Sequence, residues 1–480
     1  MVRSMGSQSV QADTPITGLP QRWLVISHAF NMDGRAASLT VTDKIPALRK
    51  AGIQMRVLSA ITGRRDREVP HHQLLPLGPS ALRFDFRHWL SQRVGRGLRY
   101  RCFTIAVSVV LAPAILLERL LVRLSSNWSW GLSASMFGRA LARRGEFDLI
   151  FSSGGEWSAH WAAARLHRAT GVPWIAEIHD PLVVRTDASD DGKSPRTTRE
   201  GRFLQRLEAD ICEHAACVWW FTEAALRWAR IRNPGLGDRG FVVRPGAAPP
   251  SGRWARRRGD TMRIGHFGLL SATRPIGCFL LALRRALDAN PGARIELHLF
   301  GGTPATIDIE QIRKLGLEDS VRLRGRMEQD PGNARSGRDQ IHEHMQQQDA
   351  LLLLHGQHEG CTEYIPSKFY EYLWARRPIL ALTHHNPELD DLVVRHGGMV
   401  AAEGDVRAIE EALVALWMRW AADDLPESGR EPIGVQQAVD SILQHAAHAV
   451  RSIGMASSVR HRGNERLSAT RTDAPTGPTA

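Results

Sequence analysis

The sequence predicts an α/β protein made of two doubly wound, Rossmann-like domains that face each other across a cleft. Short apolar runs alternate with helical patterns over most of the chain, which is the mark of parallel α/β layers. A stretch rich in Pro, Gly and Arg, RPGAAPPSGRWARRRGD (244–260), breaks the alternation, and a second α/β series starts directly after it. The length of 480 residues also exceeds one ordinary core.

In the first half, RWLVISHAF (22–30) reads as a strand, followed by the loop NMDGRAA and a helix ending near Gly52. IQMRVLSA (53–60) is the next strand, and residues 61–147 are less regular. FDLIFSS (147–153) is a strand that leads through SGG into a helix stopped at Gly171. PWIAEIHDP (173–181) is a strand ending in a polar turn, 186–201 is a loop by composition, and CVWWFT (217–222) is a buried strand after a helix. In the second half the strands are MRIGHFG (262–268), RIELHLFG (294–301), SVRLRG (320–325), ALLLLHG (350–356), PILALT (378–383) and GMVAA (398–402). Helices are expected around 279–290, over about 405–420, and in GVQQAVDSILQHAAHAV (434–450). The expected division is a disordered N-terminus (1–20), an N-terminal Rossmann-like domain (21–245), a linker (246–260), a C-terminal Rossmann-like domain (261–432), a C-terminal helix (433–455) and a disordered tail (456–480). Two such sheets bind ligand at the carboxyl ends of their strands, so the cleft is the expected site.

Composition narrows the function classes. Hydrophobic residues make up 43% and charged residues 23%, as in a globular protein. The formal charge of +12 favours anionic partners, although only five of the 62 basic residues are lysine, which also fits a general bias towards Arg. No RNA-binding or zinc-finger pattern is present, so nucleic acid is not an expected partner. The five cysteines, Cys102, Cys212, Cys217, Cys278 and Cys361, contain no CxxC and suit a reduced, cytoplasmic setting. The N-terminal residues lack an apolar core, so no secretory signal is expected. FTIAVSVVLAPAILL (103–117) is uncharged over fifteen residues and flanked by Arg99, Arg101, Glu118 and Arg119. That is shorter than the roughly twenty residues of a membrane span. A buried helix is the first reading, and an element lying on an anionic membrane surface is the second.

The chemistry concentrates in EYIPSKFYEYLWARRPILAL (363–382). Glu363 and Glu371 stand eight apart, with Lys368 between them just after Pro366 and Ser367. Pro and Ser read as a helix start, whose free N–H groups suit a phosphate. Lys368 in the first turn adds a point charge for a diphosphate, and Glu371 one turn on is placed for a ribose diol. The competing reading is an amphipathic helix with solvated charges.

This stretch resembles the E-x7-E region of retaining GT-B glycosyltransferases of the large family 4 type, in the subset written P-S-K-x-x-E-Y-L. FDLIFSS…GVPWIAEIHDP, LEADICEHAACVWWFTEAAL, FVVRPGAAP and IGHFGLLSATRPIGCFLLALRRAL resemble further family segments in the family's order, over roughly 22–420.

The resemblance implies transfer of a sugar from a nucleotide-diphosphate sugar to a glycan or lipid-linked acceptor. Retention is implied too, and surface polysaccharide or glycolipid synthesis at the inner face of the cell membrane is the matching pathway. Glu371 would take the donor ribose, Lys368 and Arg274 the diphosphate, with Ser367 at the helix start. Gly265 and Gly268 would allow close approach of the donor. Glu363 would face the sugar, and His179 and Asp180 would position the acceptor or the transferred sugar. Gly34 and Arg35 are acceptor-side candidates. The chain contains no D-x-D, so neither a metal nor a resident cofactor is expected. It departs from the family at Tyr364-Ile365-Pro366, where a glycine-rich stretch is usual, which makes Glu359 a rival of Glu363. It departs again at Pro245-Gly246, in place of Asn-Gly, and at His179, in place of Arg. A sugar-nucleotide epimerase and a degenerate, membrane-associated scaffold are the competing functions.

Overall fold

The computed structural model describes residues 19–469 except 33, 96, 184–197, 257, 272–273, 328–335 and 428. Most of the expected loop 186–201, most of the N-terminus and the end of the tail therefore lie outside the described residues.

The N-terminal half runs β1 (Arg22–Ile26), α1 (Ala36–Thr42), α2 (Lys44–Lys50), β2 (Gln54–Ala60), β3 (His71–Leu74), α3 (Pro79–Val94), α4 (Leu98–Val122), α5 (Trp128–Arg143), β4 (Leu149–Gly154), α6 (Trp157–Thr170), β5 (Trp174–Ile178), α7 (Arg199–His214), β6 (Cys217–Trp220), α8 (Glu223–Arg232) and β7 (Gly240–Val242). The C-terminal half runs β8 (Met262–Phe267), α9 (Gly277–Ala289), β9 (Ile295–Phe300), α10 (Thr306–Lys314), β10 (Val321–Gly325), α11 (Gly337–Gln347), β11 (Ala350–Leu354), α12 (Ser367–Ala375), β12 (Ile379–Thr383), α13 (Pro387–Arg395), β13 (Met399–Ala402), α14 (Val406–Ala421) and α15 (Val435–Ala469).

The first sheet has seven strands in the order β3-β2-β1-β4-β5-β6-β7, and the second has six in the order β10-β9-β8-β11-β12-β13. Their ladders are parallel. Strands buried on both faces read as unbroken apolar runs, and that is why RWLVI and ALLLL were legible. In each sheet the strand order reverses beside the first strand, β1 or β8, which is where a doubly wound sheet opens a crevice.

The chain crosses between the halves twice. Ala247 bridges Gly434, and Ala247 N–H donates to Ile433 O. Gly246 sits at φ +62°, and a Cβ there would lie 2.5 Å from the backbone of Gly434. The glycine kept from the family's Asn-Gly turn is thus required by the crossing itself. After the second crossing α15 returns to the first half, where Val435, Val439, Ile442 and Ala446 pack with Trp23, Val25 and Val57. Helix α15 extends to Ala469, beyond residue 455, where the sequence reading ends it.

Among the described residues, hydrogen bonds at three places join the halves beside the cleft. Arg338 donates two hydrogen bonds to Asp43 at 2.6 and 2.7 Å. Thr222 Oγ1, which caps α8, donates to the Glu363 carbonyl at 2.7 Å. Glu388 accepts from Glu223 N–H and from Arg244.

Region 61–147 folds mainly as the antiparallel pair α3–α4 and the buried-faced helix α5. The first expectation for 103–117, a buried helix, is corrected. Of the described residues of α4 only Ile115 and Glu118 are buried.

Candidate active site between the lobes

The C-terminal wall is built from the loops after β8 and β11 and from the start of α12. Pro366 is the N-cap of α12, and its φ of −57° and ψ of 130° set the entry angle, so that Ser367 is the first helical residue. No side chain caps this end and no acidic residue sits in its first turn, so the end presents N–H groups and positive potential. Lys368 Nζ donates to Glu371 Oε2 at 2.7 Å; the lysine side chain is 29% exposed and the glutamate 7%. Burial pushes the Glu371 carboxyl upward, but Lys368, Arg338 and His342 overcome it and hold the group below the usual carboxylate range. Glu371 is therefore an anion in its pocket, able to accept from a diol.

Arg274 lies over the Tyr364 ring, 5.8 Å from its centroid, with Nη2 3.5 Å from the phenol oxygen. The phenol itself donates to the His355 carbonyl at 2.6 Å. Tyr364 was the departure from the glycine-rich pattern, and here it seats the guanidinium by a cation–π contact. His266 of β8 is buried and hydrogen-bonded through Nδ1 to Leu352 O. Burial, with smaller contributions from Arg274 and Lys368, drives its pKa down to about 4. Arg274 and Lys368 both act electrostatically on this one buried imidazole, so both stand near the end of β8.

Gly268 directly follows β8 near His266, and Gly301 packs against its carbonyl, so small residues shape the floor here. Gly265 is a correction. It lies within β8, and the space of its missing Cβ is taken by Gln348 and Phe267, so it serves packing and not donor approach. Glu363 is buried at 3% exposure at the end of the 3-10 turn Glu359–Glu363, its carbonyl held by Thr222 of the opposite lobe. The rival, Glu359, begins that same turn.

The N-terminal wall collects the loops after β1, β4 and β5. Gly34 has φ +71°, and a Cβ there would stand 3.1 Å from Arg326 of the other lobe, which places this loop across the cleft. Arg35 pairs with Glu156 at 3.5 Å and lies over Phe84. Burial, reinforced by Asp180, raises the Glu156 carboxyl despite Arg35. Asp180 is exposed and packs against Gly155.

His179 is 8% exposed, and its Nε2 lies 2.8 Å from Glu177 Oε1 and 3.1 Å from Ser153 Oγ, so that ring nitrogen turns into the lobe. Glu177 also receives Lys44 Nζ at 3.0 Å and Trp219 Nε1 at 2.9 Å. Burial would raise its carboxyl, but Lys44, His179 and Ser153 hold it far below the usual range. Next to the loop after β1, His28 Nε2 stands 3.7 Å from Asp85 Oδ1 of α3. Burial lowers His28 to about 3 and raises Asp85 to about 7.

Sequence reasoning missed His266, Glu156, Lys44, Glu177, His28 and Asp85. Glu156 had a signal, since SGGE follows a strand directly and strand carboxyl ends line the crevice. Lys44 and Asp85 had none, because only the fold brings them to the wall. Among the described residues no group of three or more His, Cys, Asp or Glu is placed to hold a metal ion.

No protein-family model matches the chain, and no curated protein matches it. Solved structures do. Anabaena HepE in complex with UDP and glucose superposes with a TM-score of 0.50 at 13% identity, covering 92% of this chain and 99% of that one. The apo lipopolysaccharide outer core galactosyltransferase WaaB gives 0.52 at 12% identity, covering 90% and 99%. A Listeria monocytogenes protein assigned as a UDP-N-acetylglucosamine 2-epimerase gives 0.50 at 11% identity, covering 88% and 95%. At such identities the likeness establishes the fold, which is GT-B: two Rossmann-like domains facing across a cleft.

Proposed function

We propose that the chain is a glycosyltransferase. It moves a sugar from a nucleotide-diphosphate sugar to a glycan or lipid-linked acceptor, with retention and without metal, in surface polysaccharide or glycolipid synthesis on the cytoplasmic side of a membrane. The observation that carries this reading is that Arg274, in the loop after β8, and Lys368, in the uncapped first turn of α12, both act electrostatically on His266 near the carboxyl end of β8. Breaking the bond between sugar and diphosphate leaves negative charge on the diphosphate and positive charge on the ring. The two cations and the helix N-terminus stabilise the first, in place of a metal. The Glu363 carboxylate or a nearby backbone carbonyl faces the second. Glu371 accepts from the donor ribose, and Arg35, Glu156 and Asp180 form the polar acceptor wall. The GT-B fold, shared with a structure that holds UDP and glucose and with a named galactosyltransferase, is consistent with this assignment.

Calorimetric titration with UDP, GDP and dTDP, followed by NMR of the matching nucleotide sugar with and without acceptors, tests it. Release of nucleoside diphosphate only when acceptor is present is the expected result. Isomerised sugar in the absence of acceptor would make the protein an epimerase, and a folded protein that binds no nucleotide would make it a scaffold.

A further inference from the structure

Helix α4 is 25 residues long, about 37 Å at 1.5 Å per residue, and it is long and apolar enough to cross a membrane by length and composition. Almost none of its apolar surface is covered. Phe103, Ile105, Val109, Val110, Leu117 and Leu121 are all between 55% and 77% exposed. A patch of this kind on a soluble lobe marks a partner.

The chain path decides how a bilayer can be that partner. Strand β3 before the hairpin and helix α5 after it both belong to the N-terminal lobe, so the chain leaves and re-enters on one side. If α4 crossed, α3 would have to cross back. At 16 residues, about 24 Å, α3 is too short, and it carries Arg83, Arg87, His88 and Arg93. Crossing is therefore excluded for this hairpin.

The charge pattern gives the orientation. Arg99 and Arg101 stand at one end of α4 and Arg119 and Arg123 at the other, all exposed, with no charge from 102 to 117. With crossing excluded, a helix charged at both ends and apolar between brings both ends to the headgroups of one leaflet by lying flat. Helix α3 covers one side, with Arg93 over the Trp89 ring at 4.4 Å, a pairing suited to the interface. Beyond it Leu75, Leu82, Phe86 and Phe137 line a groove of about 670 Å3 with Arg65 at its edge. The seat is firm, because the buried Glu118 accepts from Ser80 N–H and Trp128 Nε1, both at 2.8 Å, fixing α4 to α3 and α5.

We propose that α3–α4 is a monotopic membrane seat, in which α4 lies parallel to the surface within one leaflet of an anionic bilayer. Its base is the acceptor wall of the cleft, since Phe84 of α3 underlies Arg35 and Asp85 adjoins His28. The seat thus presents the acceptor wall to a lipid headgroup, which deepens the transfer reading towards a lipid-linked acceptor and rests on it for that meaning. Vesicle binding tests the seat and nucleotide titration tests the transfer, so either can fail alone.

Flotation of the full chain with phosphatidylglycerol–phosphatidylcholine vesicles is expected to exceed flotation with pure phosphatidylcholine at least tenfold and to weaken with salt. The double variant Val109→Asp/Val110→Asp should lose at least tenfold in binding with an unchanged melting temperature, because both side chains are exposed. Bimane placed on Cys102, and separately on Leu117→Cys, should be quenched equally by lipid nitroxides at one depth. Unequal depths, charge-blind flotation or a double variant that still floats would overturn the proposal. So would a concentration-dependent dimer that the same substitutions disperse, because a second copy would then cover α4.

Discussion

Two of the five lysines sit at the cleft, each bonded to a glutamate, and they do opposite work. Lys44 and Glu177 are 3.0 Å apart with side chains 1% and 0% exposed, whereas Lys368 and Glu371 are 2.7 Å apart at 29% and 7%. In the first pair neither partner meets solvent, Ser153, His179 and Trp219 turn towards Glu177, and Lys44 also donates to the Thr40 carbonyl. In the second pair the ammonium keeps donors to spare at the mouth of a helix. The contrast teaches that a lysine–glutamate contact at a cleft is a scaffold when dry and a ligand site when half open. Charge alone does not separate the two.

The largest expected effect comes from breaking the dry pair. Lys44→Met leaves Glu177 charged and without its cation in the interior, which costs about 3–5 kcal/mol. Chemical denaturation should show a lower midpoint with an unchanged slope, and Lys44→Met/Glu177→Gln should recover part of the loss. If Lys44→Met melts like the parent while nucleotide binding falls, the assignment of the two pairs is reversed.

Asp85 sharpens the comparison on the N-terminal wall, where burial acts on a carboxyl that has no cation bonded to it. Its folded pKa is raised to about 7, against about 3.9 in an unfolded chain. Between these values the folded state keeps the proton and the unfolded state has lost it, so stability falls as pH rises through the window and levels off above it. Relative to the parent, Asp85→Asn should gain on the order of a few kcal/mol from pH 4 to pH 8. Parallel denaturation curves at pH 5 and pH 8 measure this, and a constant difference would remove Asp85 from the dry side of the wall.

The half-open pair gives a smaller effect, of another kind. Lys368→Ala should weaken nucleoside diphosphate binding by ~1.5–3 kcal/mol, the value of a charge-assisted hydrogen bond, and lower the melting temperature less than Lys44→Met does, because Arg338 and His342 still act on Glu371. Arg274→Lys should also weaken binding, because a point charge cannot reproduce a guanidinium seated on Tyr364. Calorimetry reads both, and unchanged titration curves would separate Lys368 from the diphosphate.

The same contrast explains what was legible in the sequence. Lys368 and Glu371 share one helix turn, so their spacing is a pattern that one dimension can hold. Lys44 and Glu177 are 133 residues apart, and no local rule joins them. Strands buried on both faces, such as ALLLL, were readable as apolar runs. The polar edge strand HHQL and the three-residue strand GFV have no such run and went unread. Helix α4 was readable as apolar but not as exposed, because hydropathy records what a side chain avoids and not what covers it. Gly265 misled for a related reason. A glycine beside a ligand and a glycine beside Gln348 look alike until the neighbour is known.

The smallest effect tests whether the two walls act as one site. Asp43 and Arg338 join the lobes through two hydrogen bonds, with side chains 10% and 21% exposed, and Arg338 also acts electrostatically on Glu371. Asp43→Asn keeps the shape and removes the charge, so the loss should be only about 1 kcal/mol, near the upper end for a partly exposed pair. The lobes should part more readily, giving a larger radius of gyration in small-angle scattering. The exchange Asp43→Arg/Arg338→Asp should restore the parent value, because the attraction is the same in either direction. A radius unchanged by Asp43→Asn would mean that the contacts at Thr222 and Glu388 alone fix the lobes, and that the N-terminal wall needs no ion pair to stay over the donor side.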